Sequence, residues 1–210
     1  VTTRPELSLA QRKRQLVSDE LTETALQLLA LKGYDAVTID EIAAGAGVSK
    51  RTFFRYFASK EDVVVQFLAE MGTGIRAELA SRPADERASV ALRHAVSVPL
   101  KECADHSERA LRVVRLILRT PALLARFLER QAQWRDDLTA ELVLRAEGTG
   151  TGAGAAGGGD DLWPRLAAGT ALAAFDAVLN RWSENDGGED PVELIDRAFA
   201  VIAPALDGTG

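Results

Sequence analysis

Apolar residues recur along this chain at three- and four-residue spacing almost from end to end, and no run alternates with the period of a strand. The pattern predicts an all-α protein of about nine helices. A first helix, running from about Leu9 or Ser18 to Lys32, carries Leu21, Ala25, Leu28 and Leu29 on one face and stops at Gly33. Thr38 and Glu41 have the spacing of a capping box, so a short second helix starts at Ile39 with Ile42 and Ala43 inward and Asp40 outward. Gly47 ends it, since glycine tolerates positive φ. Val48 then plugs the angle between helices, and Ser49 caps a third helix of about two turns. There Phe53 and Phe57 share one face, while Lys50, Arg51, Thr52 and Arg55 lie mostly on another. Ser59 and Asp62 cap a fourth helix that reaches about Leu79.

Arg82-Pro83 breaks the periodicity, and a fifth helix follows to about Ala104 with Pro99 bending or ending it. Ser107 caps a sixth that ends near Arg119, and Thr120-Pro121 opens a seventh that can run to Glu147. Residues 148–159, built from Gly, Ala and Thr alone, read as a flexible low-complexity linker. The helix from Asp161 to Glu184 is apolar on more than one side: Leu162, Leu166, Ala173, Ala177 and Val178 form one stripe, Leu172, Phe175, Leu179 and Trp182 another. Such a helix has to be covered twice. Asp190, Pro191 and Glu193 start a last helix bearing Ile195, Phe199, Ile202 and Leu206. The pair reads either as ordinary core helices or as helices that pack on their copies in a second chain. In the second reading Ala174, Val178, Ile195, Phe199 and Ile202 form the seam. A natural division puts a headpiece at residues 1–62 and a helical body at 63–210.

Within the headpiece, two short helices joined by a glycine turn have the layout of a DNA-reading helix-turn-helix. A basic two-turn helix alone is usually a solvated face. Here cap, glycine turn, second cap, basic face and third cap follow one another without interruption. These residues resemble the TetR-type bacterial transcriptional regulators, whose pattern is matched at Thr38, Ile42, Ala43, Ala46, Gly47, Val48, Ser49, Thr52, Phe57, Lys60 and Glu61. Phe54 stands where the family often has tyrosine, and Val63 or Val64 where it often has leucine. The resemblance covers roughly residues 15–65. On this reading Lys50, Arg51 and Thr52 contact bases, and Ser49, Tyr56, Lys60 and the helix start at Thr38 contact phosphates. Phe54 lacks the tyrosine hydroxyl but can touch sugar or a thymine methyl. The basic run Arg12, Lys13, Arg14 either reaches DNA or stays disordered in the unbound protein.

The resemblance also implies a homodimer on a palindromic operator, a C-terminal helix pair that makes the dimer, and a small-molecule pocket in the body. Phe127, Trp134, Trp163 and Phe175 either line that cavity or fill a core. Arg109, Arg112, Arg115 and Arg119 form a cationic stripe, of which Arg115 and Arg119 are the candidates for an anionic ligand. Asp176 is the expected buried polar group of the body and needs a donor. The stretch from Leu116 to Gln131, with Arg181-Trp182, looks like a branch of the family associated with acyl-CoA-like or fatty-acid ligands.

Charge changes the picture only in its division. The chain is −6 overall, yet residues 1–60 carry nine Lys and Arg against seven Asp and Glu, leaving sixteen against twenty-four for the rest. A mildly basic headpiece on an acidic body is compatible with DNA binding, because the local patch decides. One cysteine, Cys103, cannot form an intrachain disulfide, and the apolar stretch nearest to a membrane span is interrupted by Asp176. With no signal-like segment at the start, the expectation is a cytoplasmic protein without a membrane partner.

Enzyme chemistry finds no support. Gly152, Gly154 and Gly157 spell a dinucleotide fingerprint, but a helix precedes them and no strand does, so no cofactor is expected. His94 and His106 lack metal-ligand spacing, and no nucleophile elbow occurs. The expectation is a ligand-responsive DNA-binding repressor, no enzyme. The rival from another class is a small-molecule scavenger with a vestigial helix-turn-helix.

Overall fold

A computed structural model describes residues 8–105, 107–148 and 162–207. Among them are nine α-helices and no strand: α1 Leu9–Lys32, α2 Ile39–Gly45, α3 Lys50–Tyr56, α4 Lys60–Ser81, α5 Ala88–Asp105, α6 Ser107–Arg119, α7 Pro121–Gly148, α8 Leu162–Glu184 and α9 Pro191–Asp207. His106 and all of the glycine-rich segment after Gly148 lie outside the described residues.

Backbone contacts divide the chain into two compact units, Val1–Phe67 and Leu68–Gly210. The division falls inside α4 rather than at its start. In the first unit Leu21, Ala25 and Leu29 of α1, Ile42 of α2, Phe53 of α3 and Val63 and Val64 of α4 are wholly buried. That is a three-helix head closed by the first turns of a fourth. The α1 helix takes the longer of its two expected lengths because Ser8 and Gln11 form a capping box at its start. Arg12, Lys13 and Arg14 are therefore helical and exposed.

In the second unit the core is apolar and threaded with a few ties. Leu92 and Leu100 of α5, Leu123 of α7, and Phe175 and Trp182 of α8 are at most 1% exposed. Arg145 of α7 donates to the carbonyls of Leu79, Arg82 and Pro83 at 3.3, 2.9 and 2.7 Å, tying α7 to the end of α4 and the turn after it. Asp207 of α9 accepts from the Ser89 backbone N–H and hydroxyl at 3.0 and 2.6 Å, tying the two chain-distant helices α9 and α5 together.

Four of the five residues expected in a chain-to-chain seam are covered within the single chain. Ala174, Val178, Ile195 and Phe199 are between 0 and 9% exposed inside a single chain. Neighbours inside the chain cover them: α8 packs against α5, α6, α7 and α9, and α9 against α5 and α8. Ile202 is half-buried. What α8 and α9 leave outside is a different set: Leu162, Leu166, Ala173 and Ala177 on α8, and Val201 and Pro204 on α9.

Candidate nucleic-acid interface

The surface is built from caps. At the start of α2, Thr38 Oγ1 accepts from the Glu41 N–H at 3.2 Å, and the Glu41 carboxylate accepts from the Thr38 N–H at 2.9 Å. Lys32 adds an ion pair to Glu41 at 2.8 Å. The Lys32 bond first, then the Thr38 N–H, pulls the Glu41 carboxyl down to about 2. Thr38 thus meets an internal anion at the helix start, where a phosphate was expected, and its N–H and hydroxyl are both engaged by Glu41. The turn follows at Gly47, whose φ of +65° is accessible to glycine at little strain. Val48 closes it by donating its N–H to the Ala43 carbonyl at 2.9 Å and is half-buried.

Ser49 then caps α3: its Oγ accepts from the Thr52 N–H at 3.1 Å and lies 2.9 Å from Thr52 Oγ1. The helix is anchored from below by Phe53, 0% exposed, with Phe57 at its end 5% exposed and the ring centroids 5.7 Å apart. With those two sunk, the outer face presents Lys50, Arg51, Phe54 and Arg55, all exposed. Phe54 stands edge-on to Phe53, which fixes a half-exposed ring in the middle of the cationic face. Lys50 pairs with Asp40 of α2 at 2.9 Å, both side chains being more than half exposed. Such a surface pair is worth at most about 1 kcal/mol and yields readily to a base edge or a phosphate.

Tyr56 has two cationic neighbours. The Arg55 guanidinium lies 5.1 Å from its ring centre and the Arg14 guanidinium 5.9 Å. Together with Gln11, Gln15, Ser18, Phe57 and Gln66, Arg14 and Tyr56 line a cleft of about 350 Å³ on the headpiece. The glutamines and Ser18 were missed at the level of sequence. For Gln11, Gln15 and Ser18 the signal was the Ser8–Gln11 box, which extends α1 far enough to bring them beside α3, while Gln66 comes from α4.

Lys60 departs from the phosphate expectation. Its ammonium donates to the carbonyls of Tyr34 and Val37 at 2.5 and 3.2 Å and sits 4.1 Å from the centre of the Tyr34 ring. It holds the loop between α1 and α2 to the start of α4.

The candidates in the second unit separate into two groups. Arg115 is occupied: it donates to the Ser183 carbonyl at 3.0 and 2.7 Å and to Asp186, closing the end of α8. Arg119 is exposed. Neither joins the aromatic residues. Phe127, Trp134 and Phe175 do come together, fully buried, with Trp134 edge-on to both at 5.9 and 6.4 Å. Asp176 is half-buried beside Gln131, and burial pushes its carboxyl above the usual range. His94 is held below its usual range by burial and then by Arg93, and burial drives the Cys103 thiol up to about 12, far from reactivity. Among the described residues no His, Cys, Asp and Glu cluster could hold a metal, and no helix is long and apolar enough to cross a membrane.

Comparison with known proteins gives this geometry its context. Residues 21–67 match the bacterial regulatory proteins of the tetR family, and residues 86–207 match the MftR C-terminal domain. The chain is 32% identical over 180 residues to the HTH-type transcriptional regulator TcmR of Streptomyces glaucescens, covering 83% of this chain and 76% of that protein. It is 30% identical over 211 residues to MftR of Mycobacterium tuberculosis, a transcriptional regulator named for mycofactocin biosynthesis, covering 97% and 98% of the two. The fold is shared with FadR of Bacillus subtilis, solved with stearoyl-CoA: TM-score 0.65, 24% identity, 88% of this chain and 97% of that one.

Proposed function

This chain belongs to the TetR family of bacterial transcriptional regulators, and on that premise we propose that it is a homodimeric repressor released from a palindromic operator by a small hydrophobic or anionic ligand. The family consists of DNA-binding regulators and not of enzymes. The observation that carries the reading is α3. Its apolar side is sunk on Phe53 and Phe57, its start is capped by Ser49, and its outer face offers Lys50, Arg51, Phe54 and Arg55 to a major groove.

Roles within the interface follow from what each group is already doing. Arg51 and Lys50 are assigned to base edges, with Thr52 base-adjacent. Ser49, Tyr56 and the cations flanking Tyr56 are assigned to phosphates. Lys60 is assigned to positioning, since its ammonium already holds two carbonyls. Thr38 contributes at most by competition with Glu41. For the ligand, the FadR neighbours solved with stearoyl-CoA and lauroyl-CoA support an acyl-CoA or fatty-acid-like molecule.

The test uses DNA from upstream of the chain's own gene at several salt concentrations. Wild-type protein is expected to bind with a steep salt dependence, and Arg51→Ala to lose about 1 to 3 kcal/mol with relaxed preference at one position per half-site. Binding that Arg51→Ala leaves unchanged removes this residue from the reader. Absence of specific DNA binding by the wild type hands the chain to the scavenger reading.

A further inference from the structure

Two side-chain nitrogens of α7, Trp134 Nε1 and Arg135 Nε, are buried with no hydrogen-bond partner, and the buried Gln131 Nε2 one turn before them has only the Asp176 carboxyl beside it. Gln131 stands three and four residues before Trp134 and Arg135, a spacing that makes it a neighbour of each on the helix surface, and all three groups are donors. Native folds leave few such atoms, so two side by side call for a reason. Trp134 is the deepest, 3% exposed. Its indole edge occupies a notch in α4 at Gly72, where an added Cβ would fall 2.1 Å from Nε1 and 2.3 Å from Cδ1. No side chain larger than hydrogen fits there. The indole N–H therefore lies against the α4 backbone at Gly72 without a hydrogen-bond partner.

On α8, Asp176 stands beside Gln131. Burial pushes the Asp176 carboxyl above its usual range, and the bond from Gln131 works the other way. The chemistry of this corner is one-sided. An amine would bring more donors to a corner where donors already lack partners, and a hydrocarbon would leave them so. Carboxylate or carbonyl oxygens would satisfy them.

We propose that Gln131, Trp134 and Arg135 form the polar end of the ligand site, that the ligand is an apolar molecule carrying carboxylate or carbonyl oxygens, and that it draws Trp134 out of the Gly72 notch. This rests on the body being ligand-responsive. The indole N–H cannot serve a ligand while its edge is pressed into α4, so occupancy and the seated ring exclude one another. Since α4 is one helix from Lys60 to Ser81, emptying the notch acts on the helix that starts in the headpiece.

The full chain labelled with 5-fluorotryptophan tests this, with the Trp134 resonance identified through Trp134→Phe. Dodecanoate and 2-dodecanone are expected to move that resonance to saturation, while dodecylamine at equal concentration leaves it in place. Gln131→Leu should weaken the oxygen-bearing probes about tenfold. A Trp134 line that no oxygen-bearing probe moves, or that the amine moves equally, overturns the proposal. Gly72→Ala, with no probe added, should displace the ring, shift the same line and lower affinity for the upstream DNA. Gly74→Ala, whose Cβ meets nothing closer than Val98 Cγ1 at 3.7 Å, should do neither. Adding Trp134→Leu to Gly72→Ala should restore DNA binding. A folded Gly72→Ala protein with an unmoved Trp134 line also overturns the proposal. If the probes move Trp134 but the wild type never binds DNA, the ligand end stands and the regulator reading falls.

Discussion

A lysine four residues beyond a reader helix invites assignment to a phosphate, and Lys60 shows why position alone cannot make that assignment. Its ammonium has exchanged water for two backbone carbonyls and the face of Tyr34, whose own hydroxyl is buried without a partner. A charge held in this way fixes the loop that leads into α2. Lys60→Met is therefore expected to lower the stability of the headpiece by about 1 to 3 kcal/mol, since the Tyr34 and Val37 carbonyls lose a charged donor. The slope of DNA affinity against salt should stay unchanged, because no phosphate contact is removed. Urea unfolding and salt titrations on the same variant check both halves. A flatter slope with unaltered stability would return Lys60 to the DNA. Arg51 makes the contrast: it is exposed on the outer face of α3, so its loss should register in DNA binding and not in folding.

At the scale of the element, what could be read from the sequence was whatever local chemistry decides. The Thr38–Glu41 box, the Gly47 turn and the Ser49 cap act over three or four residues, and all three stand where the spacing put them. The start of α1 was equally local, and the Ser8–Gln11 box was its unused signal. The seam was illegible for a different reason. Residues 174, 178, 195 and 199 carry the same periodicity whether neighbouring helices of the same chain or a second chain cover them, and only the tertiary packing decides. Arg145 was illegible too, because its partners lie about 60 residues upstream at the end of α4. It closes the C-terminus of α4 as a glycine or a local lysine would in a shorter-range design. Arg145→Met keeps the stem and removes the guanidinium, and should cost about 2 kcal/mol in urea unfolding, since the Arg82 carbonyl loses its charged donor while those of Leu79 and Pro83 keep only the N–H groups of Arg82 and Glu86. An unchanged midpoint would mean that water replaces the guanidinium there without loss.

For the whole molecule, a reader of two turns buries too little DNA for specificity, so the proposed function needs a second headpiece on a two-fold axis, with half-sites about 34 Å apart or a multiple of that. The chain's own packing narrows where such an axis can lie. Phe199 and Ile195 belong to the internal core, whereas Leu166 is 57% exposed on α8 and Val201 80% exposed on α9. Alanines at 173 and 177 and Pro204 continue that outer face, and small side chains there allow helices of two chains to approach closely. The two sets answer differently to a charge. Phe199→Glu places a carboxylate in the dry core of a single chain and should unfold the second unit. Leu166→Glu or Val201→Glu places one on a surface that only a partner desolvates, so each should leave helix content and monomer stability near wild type while splitting the dimer. Sedimentation velocity gives the mass and far-UV circular dichroism the fold. Operator affinity should fall with the dimer, because each half-site then binds alone. If both surface variants sediment as dimers with unaltered DNA binding, the axis runs through another face of the body.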